Sequence, residues 1–427
     1  AMTKIAITNH GHRMNKGTAA LLNSRIKTLK KYIPDAEFAV FTYHPEIDYK
    51  PEMKYIKDVK IRFYEVPCKV SLSPRTVLKT FHSILRLLFC NSKLVKKLNV
   101  KSIQEYSEAD VIISTGGDVL TEDYGSISFF NYVANLLLGI LLEKPVILYA
   151  ESIGPFKRRL NRIIAQFLLN RVRLVTLRER ISREYLEKLG IDKAPMYVTA
   201  DSAFLLEPAP IQRVKEILEI EGLKEDSRPL VGISVSKIIS RYGFHNLITP
   251  DDKYSKYLKL MAQIVDYLIE SLNATVVFIP HVVEPWGNDD RTVAYDIYKL
   301  IEGKHKTVVI KNEYTAEEVK GMIGQCDLFI GARMHATIAS TSMHVPTVAI
   351  AYSHKTHGII GEMLGYNEYV LDVQNLNYET LASATSNAWN NRTKIRKELV
   401  SKMEDIKQAA LLNGKLVKEL IEHLSES

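Results

Sequence analysis

The feature that most constrains this chain is an alternation. Short apolar runs of β-rich composition recur along its length, and longer segments of helical period fill the gaps between them. In the first half the runs are KIAIT (4–8), EFAVFTY (37–43), VKIRFYEV (59–66), ADVIIST (109–115), PVILYAESI (145–153), LVTLR (174–178) and MYVTAD (196–201). A second series comprises LVGISVS (230–236), ATVVFIPH (274–281), KTVVIK (306–311), CDLFIGA (326–332) and PTVAIAY (346–352). Strands that alternate with helices in this way predict an α/β protein with parallel sheets covered by helices.

The 427 residues exceed what one hydrophobic core ordinarily organises. A polar stretch, EPAPIQRVKEILEIEGLKEDSRP, separates the two series. The expected organisation is therefore a first doubly wound domain over 1–206, a linker over 207–228, a second doubly wound domain over 229–376, and helices from 377 to 427 that pack back on the first domain. The two domains face a cleft.

Charge and composition narrow the function class. The formal charge of +8 suits an anionic partner, but the lysines and arginines are scattered and no basic run is interleaved with aromatics. Nucleic acid is therefore not the expected partner. The longest apolar stretch, ISFFNYVANLLLGILL (127–142), is interrupted by Asn131 and Asn135 and is shorter than the ~20 residues that cross a bilayer, so it predicts a buried helix. The opening segment lacks the apolar core of a signal peptide, and Cys68, Cys90 and Cys326 are too few and too scattered for a disulfide framework. A cytoplasmic location follows as the expectation. One basic amphipathic segment, RTVLKTFHSILRLLFCNSKLVKKL (75–98), suits peripheral contact with a membrane surface.

In open α/β sheets ligands gather at the carboxyl ends of strands, where loops enter helices. After the first strand, TNHGHRMNKGTAALL holds Asn15 and Gly17, with Thr18 as the expected helix N-cap. After the fourth comes STGGDVLTEDYGS, in which Gly116 and Gly117 allow close backbone approach and Asp118 supplies a carboxylate able to take a proton from a sugar hydroxyl. Arg178 ends a later strand and is expected to reach the cleft. In the second half His281 ends a strand ahead of a polar loop with Glu284, Asn288, Asp289 and Asp290, a spacing that matches no metal-ligand signature. No metal is expected.

The densest constellation is GARMHATIASTSMHVPTVAIAYSHK (331–355). Arg333 and His335 are two residues apart, so on a regular helix they would face different ways. Both reach one ligand only if Arg333 lies in the turn before the helix. A forked guanidinium beside free N–H groups suits a phosphate or carboxylate, His335 adds a proton or second charge, and Tyr352 and Lys355 end the neighbouring strand.

These residues resemble the polysaccharide pyruvyl transferase family. The pattern Arg-x-His, small-residue helix, Pro, strand, Tyr, Lys and Gly appears as Arg333, His335, Pro346, Tyr352, Lys355 and Gly358. Asn15 and Gly17, Gly116 to Asp118, SIGPF, Arg178 to Ser182 and ADSAF (200–204) agree with it in order. Thr18 stands where many relatives carry an acidic residue. The resemblance implies a GT-B-like fold of two Rossmann-like domains and transfer of pyruvate from phosphoenolpyruvate, as a ketal, to a sugar of a polysaccharide, glycan or lipid-linked precursor, with no cofactor. It implies Arg333, Lys355, Arg178 and Tyr352 as donor ligands and His335 as acid or phosphate ligand. Asp118 would be the base toward the acceptor, with Asn15, Gly17, Gly116, Gly117 and His281 as acceptor or loop contacts. Two other readings compete: a GT-B glycosyltransferase with a nucleotide-sugar donor, whose diphosphate the same cations would bind, and a non-catalytic anion- or membrane-surface-binding protein.

Overall fold

The computed structural model describes residues 2–69, 101–224 and 227–426. The segment 75–98, with its proposed membrane contact, and Cys90 lie outside the described residues. The chain divides into two compact units, one formed by Ala1–Arg13, Leu21–Leu205 and Gln408–Ser427, the other by Met14–Ala20 and Leu206–Lys407.

The first unit is built on a parallel seven-stranded sheet of order β3-β2-β1-β4-β5-β6-β7. Its strands are β1 (Lys4–His10), β2 (Glu37–Thr42), β3 (Ile61–Glu65), β4 (Val111–Ser114), β5 (Val146–Glu151), β6 (Leu174–Leu177) and β7 (Met196–Val198). β4 and β5 are buried along their whole length, as strands covered on both faces must be. One of the covering elements is the helix Ser126–Leu141, which takes in most of the apolar stretch that predicted it. Asn135 is tolerated inside that helix because its amide is fully used: it donates to the Cys68 and Asn131 carbonyls and to Asn9 Oδ1, and accepts from the Cys68 N–H at 2.9 Å.

The second unit carries a parallel six-stranded sheet of order β10-β9-β8-β11-β12-β13. It comprises β8 (Leu230–Ser234), β9 (Thr275–Phe278), β10 (Thr307–Val309), β11 (Leu328–Gly331), β12 (Thr347–Ala351) and β13 (Val370–Asp372). In both sheets the strand order reverses once, between β1 and β4 and between β8 and β11. Such reversal points leave a crevice above the carboxyl ends of the strands, where α/β proteins place their ligands.

Two expectations about organisation are corrected. Residues 207–228 are not a linker, because Ile211–Ile220 forms a helix whose Val214 packs so tightly on the second unit that a Cβ on Gly321 would come within 2.4 Å of it. The loop Met14–Ala20, expected in the first domain, belongs to the second unit. The residues after 377 form two helices, Tyr378–Asn390 and Arg392–Glu426, and the end of the second, from Gln408, belongs to the first unit. There Asn413 accepts a hydrogen bond from Thr199 Oγ1 at 2.8 Å and donates one to the Ala200 carbonyl. Among the described residues, no helix is long and apolar enough to cross a membrane.

Candidate functional site

In the second unit β11 ends at Gly331 and the next helix begins at Met334. Arg333 is the residue before that helix and is extended, with φ −109° and ψ 127°. It therefore lies in the turn, as its spacing from His335 demands, and its side chain makes no capping bond to the helix. The guanidinium turns instead to the loop after β9, where Nη2 donates to Asp290 Oδ1 at 2.7 Å and to Asn288 Oδ1 at 3.1 Å. Asp290 is held in turn: its other oxygen accepts the backbone N–H groups of His281 and Val282 at 3.1 and 2.9 Å. Burial works against the charged guanidinium, but the Asp290 carboxylate outweighs it and holds Arg333 above its ordinary pKa. Arg333 is thus a permanent cation in a fixed orientation, and its buried Nε has no hydrogen-bond partner.

His281 lies beside it, buried, with both ring nitrogens lacking hydrogen-bond partners. Burial, then the positive fields of His335, Arg333 and Lys16, push its pKa well below the usual value, so the ring is neutral at pH 7. Its carbonyl accepts the Lys16 N–H at 2.9 Å, and Val282 forms an antiparallel bridge with Asn15. Asn15 Oδ1 accepts the N–H groups of Gly17 and Thr18 at 3.0 and 3.3 Å. Asn15, not Thr18, therefore caps the helix Lys16–Tyr32. Gly17 faces His335 so closely that a Cβ there would stand 2.5 Å from the imidazole Nδ1.

At the end of β12 the Tyr352 ring lies nearly parallel to Tyr242, with centroids 5.7 Å apart. Lys355 follows in the short helix His354–Thr356 and is buried. One cavity of about 850 Å³ opens over the carboxyl ends of β8 and β9, with Arg333 in its wall alongside Lys237, Arg241, Lys253, Tyr254 and Asn288.

The first unit has a second polar centre at its own reversal point. Gly116 and Gly117 adopt positive φ, +80° and +90°. A Cβ on Gly116 would stand 2.3 Å from Arg25 Nη2 and 2.8 Å from the Tyr149 carbonyl, so only glycine fits. Glu151, at the end of β5, accepts from the Gly116 N–H at 3.2 Å and from the hydroxyls of Ser114 and Tyr132. Burial raises its pKa above the ordinary carboxyl value, against the opposing pull of those donors and of Arg25 and Arg178. Asp118 is half-buried beyond the glycines and accepts from Tyr124 OH at 2.8 Å.

Arg178 directly follows β6. It is fully buried in the first unit, donating to Asp201 at 2.6 Å and to Ser152 Oγ at 2.7 Å. The ion pair with Asp201 fixes the guanidinium, and removing one partner of such a pair costs about 3–5 kcal/mol, but the buried Nη2 has no hydrogen-bond partner. The structure thus gathers Arg333, His335, His281, Asn15 and Gly17 in one place, with Tyr352 near Arg333. It sets Asp118, Gly116, Gly117 and Arg178 together in the other unit. The supports are what the sequence does not assign: Asn288 and Asp290, named there only as part of a polar loop, beneath Arg333, and Glu151 and Arg25 beneath the glycine pair. Asp290 and Asn288 carried a signal, since they share the polar loop after β9. Glu151 and Arg25 carry none, because neither a charged residue at the end of an apolar run nor one on a mixed helix says what it meets.

The family model described as polysaccharide pyruvyl transferase matches residues 15–354. The amylovoran biosynthesis protein AmsJ of Erwinia amylovora is 24% identical over 433 residues, covering 99% of this chain and 100% of that protein. Among solved structures, the UDP-GlcNAc 2-epimerase of Methanocaldococcus jannaschii is similar with a TM-score of 0.58 and 14% identity, covering 91% of this chain and 93% of that one. The UDP-GlcNAc 2-epimerase of Neisseria meningitidis, solved with UDP-GlcNAc bound, has a TM-score of 0.59 and 13% identity over the whole of both chains. At these identities the two enzymes share a fold with this chain, the GT-B-like pairing of two Rossmann-like domains.

Proposed function

The chain belongs to the polysaccharide pyruvyl transferase family and is a transferase, and from that premise we propose that it moves pyruvate from phosphoenolpyruvate to a sugar hydroxyl pair as a ketal. The observation that carries the donor is Arg333: a permanent cation, fixed by Asp290 in the turn after β11, with a buried Nε still to be satisfied. Phosphoenolpyruvate presents two anionic groups, a phosphate and a carboxylate. Arg333 binds one of them and Lys355, from the next strand end, the other.

The reaction balances without a redox partner. A proton adds to the methylene carbon, one sugar hydroxyl bonds to the adjacent carbon, the C–O bond to phosphate breaks, and a second hydroxyl closes the ketal. The two hydroxyls release two protons, one of which replaces that taken up by the methyl group while the other leaves with phosphate. His335 is the proton donor or phosphate ligand, and the cationic site stabilises the leaving phosphate. His281, held neutral, adds no charge but fills the wall behind it. Asp118 serves as base toward the acceptor, its approach made possible by the glycine pair. The acceptor belongs to a polysaccharide or to its precursor.

The test is incubation with phosphoenolpyruvate and a panel of galactose, mannose and N-acetylhexosamine glycosides, with phosphate release and product mass as readouts. A product heavier by one pyruvyl ketal, formed with stoichiometric phosphate, is expected. Turnover of a nucleotide sugar in place of phosphoenolpyruvate would replace this reading with glycosyl transfer, which the same cations could serve.

A further inference from the structure

Phosphoenolpyruvate is far smaller than the ligands that fill clefts of 300–1,000 Å³. The cavity beside Arg333 measures about 850 Å³, so the donor leaves most of it open. Its remaining wall is charged in one sense once the pairs are accounted for. The three carboxylates that line it are each engaged: Asp289 with Arg291 at 2.6 Å, Asp290 with Arg333 at 2.7 Å, and Asp296 with Lys299 at 2.8 Å and with Tyr254 OH at 3.0 Å. Lys237, Arg241 and Lys253 line the same cavity, and among the described residues none of the three has a carboxylate within ion-pair distance. Lys237 sits instead over the face of Tyr254, its ammonium 5.1 Å from the ring centroid. An ordinary solvated surface intersperses its charges with partners of opposite sign. Here Asp289 and Asp296 are held by Arg291 and Lys299 from outside the lining and Asp290 by Arg333 within it; Asp296 also feels the charge of Lys237, and Lys237, Arg241 and Lys253 line the cavity as its further cations.

We propose that this cavity is the acceptor subsite and that it selects a sugar carrying an anionic group, a carboxylate or a phosphate ester, next to the residue that receives pyruvate. This rests on the pyruvyl transfer reading. Lys237, Arg241 and Lys253 hold the anion, while Arg333 at the inner wall marks the donor end, so the charged neighbour sets which hydroxyl pair meets the donor. Cations at a rim act chiefly on capture and selection, so they separate acidic from neutral acceptors without entering the chemistry.

The experiment uses the whole chain, phosphoenolpyruvate and matched acceptors: a disaccharide containing a uronic acid, its methyl ester, and the corresponding glycosyl diphosphate. Phosphate release gives kcat/KM for each. The uronate or the diphosphate exceeds the ester by about tenfold or more, and whichever does so identifies the anion. In the Lys237→Glu, Lys253→Glu variant that ratio falls toward one. Equal kcat/KM for all three acceptors, or a preference unchanged by the variant, overturns the subsite. Circular dichroism melting checks the variant's fold; should it fail, the wild-type ratio decides alone. If no acceptor releases phosphate, pyruvyl transfer itself fails. Calorimetric titration with the uronate, its ester and the diphosphate then decides the anion site: tighter binding of either anion than of the ester upholds it, equal binding of all three removes it.

Discussion

Gly17 and His335 are in contact across most of the chain's length, and the space between them has no room for a methyl group. A Cβ on Gly17 would lie 2.5 Å from the imidazole Nδ1 and 2.7 Å from Cγ. The Asn-x-Gly loop is therefore one wall of the Arg-x-His turn. Asn15 fixes that wall by capping the helix and by bridging to Val282, next to His281.

The first prediction follows from that contact. Gly17 is in the first turn of a helix, where replacing glycine by alanine ordinarily stabilises by about 0.5–1 kcal/mol. In Gly17→Ala this gain is set against displacement of the His335 ring, so the melting temperature changes by no more than a few degrees. Activity behaves otherwise. A shifted imidazole lowers kcat by about tenfold or more, the order that a misplaced catalytic group costs. Steady-state phosphate release beside a thermal melt checks both. Unchanged kcat would show that His335 is not placed by this wall.

Arg333 supports a second prediction. Lysine keeps the charge but cannot bond Asp290 and Asn288 while also facing a ligand. Arg333→Lys therefore raises KM for phosphoenolpyruvate by about tenfold, and Arg333→Ala lowers kcat/KM by about a thousandfold, as loss of a charge-stabilising group does. Asp290→Asn tests the support: the carboxylate is gone, the guanidinium loses its fixed partner, and KM for the donor rises as in Arg333→Lys. Equal KM in all three would remove Arg333 from the donor site.

How much of this could be read from residues alone depends on the scale of the feature. All twelve apolar runs contain strands: central ones such as β4 and β5 are buried on both faces, which leaves such a run few other choices, and the edge strands β3 and β7 form although only partly buried. β13 was missed: Val370–Asp372 is three residues long, two of them only half-buried, and offers no run to detect. The position of Arg333 in the turn was legible because an i, i+2 pair cannot converge on a helix. Thr18 is not the cap because the helix begins earlier, at Lys16, and Asn15 just before it accepts the N–H groups of Gly17 and of Thr18 itself. The Arg178–Asp201 pair is not legible, because a strand-end arginine looks the same in sequence whether or not a buried carboxylate holds it. That partner comes from beyond the next strand, and nothing local announces it.

A third prediction concerns acid. Burial, followed by the charges of Arg25, His12 and His44, lowers His10 to about 3, and His281 is also lowered well below its ordinary value. Above pH 6.5 each is neutral folded or unfolded and contributes nothing to the slope. Below 6.5 the unfolded chain takes up protons that the folded one refuses, so stability falls as the pH falls, down to about 3 for His10. Each histidine costs about 1.4 kcal/mol per pH unit in that window. Urea unfolding at pH 7.5 and 5.5 should show this loss in the wild type, and His281→Gln should remove about half of it. A variant with the same pH dependence as the wild type would show that His281 protonates freely in the fold.

The last prediction separates the support of the first unit from its chemistry. Gly116 has φ +80°, which costs a non-glycine residue about 1–2 kcal/mol, and a methyl group there would strike the buried Arg25 guanidinium and the Tyr149 carbonyl. Arg25 cannot yield easily, since its Nη1 donates to the Ser114 carbonyl at 2.7 Å and its carbon stacks 4.6 Å from the Tyr149 ring centroid. Gly116→Ala should therefore destabilise by about 3 kcal/mol or more, backbone strain and overpacking together. Asp118→Asn, half-buried and bonded to Tyr124, should leave the melting temperature within a few degrees of the wild type while lowering kcat. Thermal melts and phosphate release on the two variants check the contrast. If Asp118→Asn kept full kcat, the base would have to be sought elsewhere, and the glycine pair would stand as a structural turn built around Arg25.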